Sequence, residues 1–174
     1  MSDYIRPRVP GASVFFTVAL ADRGARLLVE EIDRLRAAVR ETMAERPFKV
    51  DASVVLPDHM HAVWTLPEGD AGYSVRWKDI KTRFTKSVGR VGQRSPSKIA
   101  KGEAGISQRR FWEHHIRDDR DFITHLRYCW WNPVKHGFVE RPVDWPYSSI
   151  HREVRLGRVE AEWAGVENKG RFGE

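Results

Sequence analysis

Between Phe48 and Leu66 the chain alternates side chains at period two on both sides of a single Pro57-Asp58 break. Alternation of this kind is the signature of a strand, and Pro-Asp that of a tight turn. A β-hairpin is therefore predicted. Its first strand covers 48–56, with Val50, Ala52, Val54 and Leu56 on one side. Its second covers 59–66, with Met60, Ala62 and Trp64 on one side and His59, His61 and Val63 on the other. A hairpin in this place commits the chain to an antiparallel sheet and puts two imidazoles on one face of it.

The flanking segments extend the pattern. Ser13 to Leu20 is rich in Val and Phe and predicts a strand. Leu28, Ile32, Leu35, Val39 and Met43 repeat at spacings of three and four, which predicts an amphipathic helix over 25–45, ended by Pro47. Trp77, Ile80, Phe84 and Val88 mark a second helix over 74–88. The Gly-, Ser-, Lys- and Arg-rich stretch 89–107 lacks periodicity and predicts a mobile basic loop. A strand over 110–116 carries Trp112, His114 and Ile116 on one side. A third helix begins after the capping residues Asp118-Asp119 and runs to about Trp131, where Pro133 stops it. From Val134 the chain is loop-rich, with a short helix over 148–156. The order β-α-β-β-α-β-α predicts an α+β fold of the ferredoxin-like, split βαβ kind. Its antiparallel sheet has four to five strands with helices on one face, followed by a C-terminal extension.

A length of 174 residues suits one domain with a real core. The apolar run from Ala12 to Ala21 is too short to span a bilayer, and the N-terminus lacks the apolar stretch of a secretory signal. The single cysteine, Cys129, excludes an intrachain disulfide and cysteine-rich zinc sites, which favours a reducing cytoplasm. Charge is unevenly placed. Tyr73 to Arg110 holds eleven Lys or Arg against two acids, a net +9 inside a chain of net +6, so the remainder carries −3. A basic block in a mildly acidic body fits a polyanion-binding surface, or equally a solvated helix and loop.

The candidate chemistry lies in two segments. His59 and His61 share a strand face ~7 Å apart along the backbone, a separation that suits two ligands of one metal. On the third helix, Tyr128 and Asn132 are one turn apart and leave the stripe of Phe122, Leu126, Cys129, Trp130 and Pro133, on the side of Asp121 and His125. A phenol, with an ordinary pKa near ~10, is a weak nucleophile at neutral pH. It needs a phosphodiester that is polarised and held in line, which a divalent metal provides. Two imidazoles and an amide oxygen suit Mn²⁺ at least as well as Mg²⁺.

Pro57-Asp58-His59-Met60-His61, followed by Tyr128 and Asn132-Pro133-Val134-Lys135-His136-Gly137, resembles the Y1-type HUH transposases, and within them the REP-associated tyrosine transposases. The resemblance extends to Trp145-Pro146-Tyr147-Ser148-Ser149. It implies that His59, His61 and Asn132 are metal ligands and Tyr128 the nucleophile. Asp58 stands where many members carry Asn, and His136 where many carry Ala. The implied activity is ATP-independent nicking and joining of single-stranded DNA near hairpins. It proceeds through a 5′-phosphotyrosine, with Mg²⁺ or Mn²⁺ as cofactor, in a bacterial, nucleoid-associated protein that is a monomer or homodimer.

Under that reading Lys78, Lys81, Lys86, Arg90, Arg94, Lys98, Lys101, Arg109 and Arg110 are candidate contacts to DNA phosphates. Trp131 and Trp145 are candidates for stacking on unpaired bases, with burial as the alternative. Trp64, Trp77 and Trp130 are packing residues. Of the remaining histidines (His114, His115, His125, His136 and His151), His125 is the first choice to support the site from behind, one turn before Tyr128. Two other readings stay open: a catalytically silent hairpin-binding protein, and a metallohydrolase that activates water.

Overall fold

The computed structural model describes residues 7–89, 92 and 94–165. Four strands form one antiparallel sheet in the order β2-β3-β1-β4: β1 (Ser13–Ala19), β2 (Lys49–Val55), β3 (His59–Thr65) and β4 (Trp112–His115). This is the strand order expected of a split βαβ unit. The two central strands are buried on both faces, which explains why β1 reads as a nearly unbroken apolar run.

The two faces have different tenants. Val14, Phe16 and Val18 of β1 lie opposite Trp64, Ala62 and Met60 of β3. They meet α2 (Ile32–Glu45) and α3 (Tyr73–Val88), which pack on each other. Trp77 of α3 stacks on Trp64 with ring centroids 4.2 Å apart, and Phe16 meets both rings. Each indole removes roughly 200 Å² from water, about 5 kcal/mol at ~25 cal/mol per Å². Phe15, Thr17 and Ala19 project to the opposite face, across from Val63, His61 and His59. There α5 (Asp119–Lys135) crosses the sheet. So the two helices of the βαββαβ unit share one face, as expected, and the third helix covers the other.

Several local expectations need correction. The predicted helix over 25–45 is broken at Glu31 into a single turn, α1 (Leu27–Glu30), and α2. The break turns α1 under the hairpin, where the Leu28 amide donates to the Pro57 carbonyl. In β2 the register slips between Val50 and Ala52, a bulge at Asp51. Val50 pairs with Trp64 on the α2 face, whereas Ala52 and Val54 pair with Val63 and His61 on the α5 face, so the four residues predicted on one side are split. The segment predicted as a loop over 89–107 contains α4 (Pro96–Ala100), capped by Ser95 with Pro96 at its first position. The Ala21 amide donates to the Ile106 carbonyl, which fastens the segment's end to that of β1.

A fourth correction bears on function. Helix α5 does not stop before Pro133 but runs on to Lys135. An interior proline costs a helix about 3 kcal/mol, but Asn132 and Pro133 are both buried here. The amides of His136 and Phe138 still close on the carbonyls of Asn132 and Pro133. Beyond α5 come a 3₁₀ turn (Pro142–Asp144) and α6 (Ile150–Arg155), within the helix expected over 148–156. Tyr147 to Ser149 bonds along the free edge of β2, through Val55 N to Tyr147 O and Ser149 N to Ser53 O. That contact covers an edge which would otherwise invite pairing with another chain.

Candidate active site

Pairing of β1 with β3 sets Thr17 directly across from His61, and the Thr17 hydroxyl and His61 Nδ1 share a hydrogen bond of 2.9 Å. At the start of β3, His59 Nδ1 donates to Asp58 Oδ1 at 2.7 Å, and Asp58 Oδ2 receives Arg23 Nε at 2.6 Å. Each imidazole is thus held by its Nδ1. For His59 this fixes the tautomer with a bare Nε2, which is buried without a hydrogen-bond partner. An outer group on one nitrogen with the other left for a cation is the usual dress of a metal-binding histidine. The two rings lie 5.1 Å apart, edge to face.

Burial and nearby charge set the protonation of this pair. Desolvation pushes the His59 imidazolium down from its usual value, more than Asp58 raises it. Burial alone would lift the Asp58 carboxyl, but the bond and charge of His59 and the Arg23 guanidinium hold it below its ordinary range. A neutral imidazole beside an ionised carboxylate is the state that binds a divalent cation.

Helix α5 lays Asp121, His125, Tyr128, Asn132 and Lys135 along one stripe, at alternating spacings of four and three. This stripe faces the sheet, so the expectation that Tyr128 and Asn132 leave the core is overturned: both are fully buried. Cys129 and Trp130 on the other side are buried as well, because the C-terminal extension covers them. The Tyr128 ring stands 5.3 Å from that of His61 and 5.9 Å from that of Phe15. Lys135 Nζ donates to the Tyr128 hydroxyl at 3.0 Å and sits 5.1 Å from the ring centroid. The His136 ring lies 5.2 Å from that of His59. Histidines from a strand and a tyrosine from a distant helix therefore converge, and Lys135 and His136 join them.

His125 stands one step back. Its ring touches Phe15 at 4.8 Å, and Phe15 in turn touches His61 and Tyr128. With His114 and Asp121 it brings three ligand-type atoms within 4.8 Å of one another. The Asp121 carboxylate accepts from His114 and from the backbone and side chain of Arg117, while its backbone carbonyl accepts from His125 Nδ1, which lies 3.1 Å from the carboxylate. These contacts pin the start of α5 to β4.

The basic candidates fall into two clefts at the end of the sheet where β3 begins. Lys78, Lys81, Lys86, Lys101 and Arg109 line one, of about 810 Å³. Arg94 and Lys98 line the other, beside Arg23 and Arg26. Arg23 and Arg26 were missed at the sequence level because they lie outside the basic block. Arg110 is exposed, and Arg90 falls outside the described residues. Trp145 is not offered to solvent: its indole donates to the Val55 carbonyl from a buried position. Trp131 is half-buried beside Gly165. Among the described residues no helix is long and apolar enough to cross a membrane.

The site thus belongs to an α+β fold in which a central strand carries paired histidines and a tyrosine-bearing helix lies across them. No protein-family model matches the chain. Over 165 residues it is 44% identical to a REP-associated tyrosine transposase of Escherichia coli K12, covering 95% of this chain and 92% of that protein. A counterpart from Haemophilus influenzae is 43% identical over 166 residues, covering 95% and 94%. A solved structure of such a transposase bound to a REP hairpin superposes with a TM-score of 0.88 at 43% identity, covering 100% of this chain and 98% of that one. The chain belongs to the REP-associated tyrosine transposases.

Proposed function

We propose that this chain binds hairpin DNA of the REP type and nicks and rejoins a neighbouring single strand through a covalent phosphotyrosine on Tyr128. The observation that carries this reading is the 5.3 Å approach of the Tyr128 ring to His61, itself 5.1 Å from His59. The hairpin-bound relative supports the choice of DNA.

A divalent cation fits the residues present. His59 offers a buried, unbonded Nε2, His61 stands beside it, and Asn132 is buried on the facing helix. When bound, such an ion withdraws charge from a non-bridging phosphate oxygen and fixes the phosphate. Everything else falls to the protein. Asp58 and Thr17 orient the imidazoles. Phe15 backs both His61 and Tyr128 and keeps the rear of the site apolar. Tyr128 aims its oxygen from a rigid helix, and the strand that reaches it must slide over Lys135 and His136, which are exposed. The Tyr128 oxygen then bonds to phosphorus, the bond to O3′ breaks, and a free 3′ end remains for rejoining. The lysines and arginines of the two clefts bind the hairpin phosphates.

The test is a labelled single strand carrying a hairpin, incubated with Mn²⁺ or Mg²⁺ and run on a denaturing protein gel. The wild-type chain is expected to carry label, and Tyr128→Phe to carry none while binding the hairpin within about twofold of wild type. Label on Tyr128→Phe would remove the nucleophile assignment. Cleavage that releases free 5′ ends without Tyr128 would favour the hydrolytic reading, and no cleavage at all the silent one.

A further inference from the structure

We propose that Lys135 is a catalytic residue that stabilises negative charge on the Tyr128 oxygen, both when that oxygen attacks and when it leaves. This rests on the phosphotyrosine reading above.

The position of Lys135 follows from a feature that sequence rules disfavour. Had α5 ended before Pro133, residue 135 would have no fixed relation to residue 128. Because the helix continues to Lys135, the two residues are seven apart on one face, two full turns along. The side chain folds back so that the ammonium lies 3.0 Å from the phenolic oxygen and 5.1 Å from the ring centroid. One charge is thus placed on one group. Tyr128 is fully buried, with Phe15 and His61 against its ring, so its oxygen lies where water screens poorly. A fixed cation there acts far more strongly than in solvent. Lys135 itself is exposed as a residue, so it reaches in from the side on which a DNA strand would arrive.

The chemistry balances without a further reactant. In cleavage the Tyr128 oxygen gains a bond to phosphorus and its proton passes to water, while the departing O3′ takes a proton from water. In rejoining a free 3′ hydroxyl attacks the phosphotyrosine, its proton passes to water, and the Tyr128 oxygen leaves as a phenolate. In both directions the same oxygen carries negative charge, as it loses its proton to attack and as it departs from phosphorus, 3.0 Å from the same ammonium. One residue therefore serves both halves of the cycle.

The experiment compares the full-length wild-type chain with Lys135→Met and Lys135→Arg on a hairpin-bearing single strand with Mn²⁺. Single-turnover adduct formation and rejoining are timed separately, and hairpin affinity and thermal melting are measured alongside. Lys135→Met is expected to slow both steps by about 10²- to 10³-fold. Its hairpin affinity stays within about twofold and its melting is unchanged, because the side chain is exposed. Lys135→Arg, which keeps the charge, is expected to stay within about tenfold of wild type. An adduct rate for Lys135→Met within about threefold of wild type overturns the proposal. So does a loss of affinity that matches the loss of rate, which would make Lys135 a phosphate contact. A wild-type chain that forms no adduct overturns the phosphotyrosine reading and this proposal together; a wild-type adduct with an unimpaired Lys135→Met overturns this one alone.

Discussion

Asp58 occupies a position where its charge reaches two groups. It accepts from His59 Nδ1, and it pairs with Arg23, which lines a basic cleft. An Asn there would keep an acceptor for the imidazole and lose the ion pair. Asp58→Asn is therefore expected to leave metal affinity nearly intact, whereas Asp58→Ala frees the His59 ring to rotate and weakens Mn²⁺ binding by about 10- to 100-fold. Titration calorimetry of the metal alone decides the matter. Equal affinities for the Ala variant and the wild type would remove Asp58 from the support of the site. Thr17 plays the corresponding part for His61 from a different strand. Asp58 adjoins the histidine motif and was noticed; Thr17 becomes its neighbour only through strand pairing, which no local pattern encodes.

At the level of elements, one hydroxyl of the C-terminal extension joins both the sheet and α5. Ser149 Oγ accepts from the Ser53 amide and from Trp130 Nε1, both at 2.9 Å. Ser149→Ala leaves two donors short of a partner and is expected to lower stability by about 2 kcal/mol, read as a shift of the urea midpoint at constant slope. No shift would mean that water replaces the hydroxyl at both donors. The helices that periodicity could reveal were those with one buried face, α2 and α3. Three features escaped it. The bulge at Asp51 reverses the alternation of β2 after Val50, and a rule of strict period two has no means to place it. The passage of α5 through Pro133 depends on burial of Asn132 and Pro133, a tertiary effect that overrides local propensity. Burial of α5 on both sides made one stripe look core-facing and the other free, although both are covered. The convergence of His59, His61 and Tyr128 was legible only through the joint motif, since neither half would distinguish a site from ordinary surface residues.

Across the whole molecule, the histidines set how the protein meets acid. Burial pushes His59, His115 and His125 below their usual 6.5, and the positive charge of His114 adds to this at the last two. These groups lie at the start of β3, on the α3 face of β4 and on α5, so no single element answers for them. Between 6.5 and their lower folded values the unfolded chain binds more protons than the folded one. Stability must therefore rise with pH across that window, and be lost as pH falls through it. The carboxylates answer later. Asp58, Asp70 and Asp121 are held below 3.8, and Glu153 below 4.5, by hydrogen bonds and charges that outweigh burial wherever burial opposes them. Their stabilisation is complete above those values and fades only as pH drops beneath them. A metal-free sample in chelator should thus lose stability in two stages, one beginning near pH 6.5 and one below about pH 4.5. Urea midpoints taken from pH 8 to pH 3 trace both. A curve that stays flat from pH 7.5 to 5 would show that the three imidazoles are as easily protonated in the fold as outside it, and would contradict their burial.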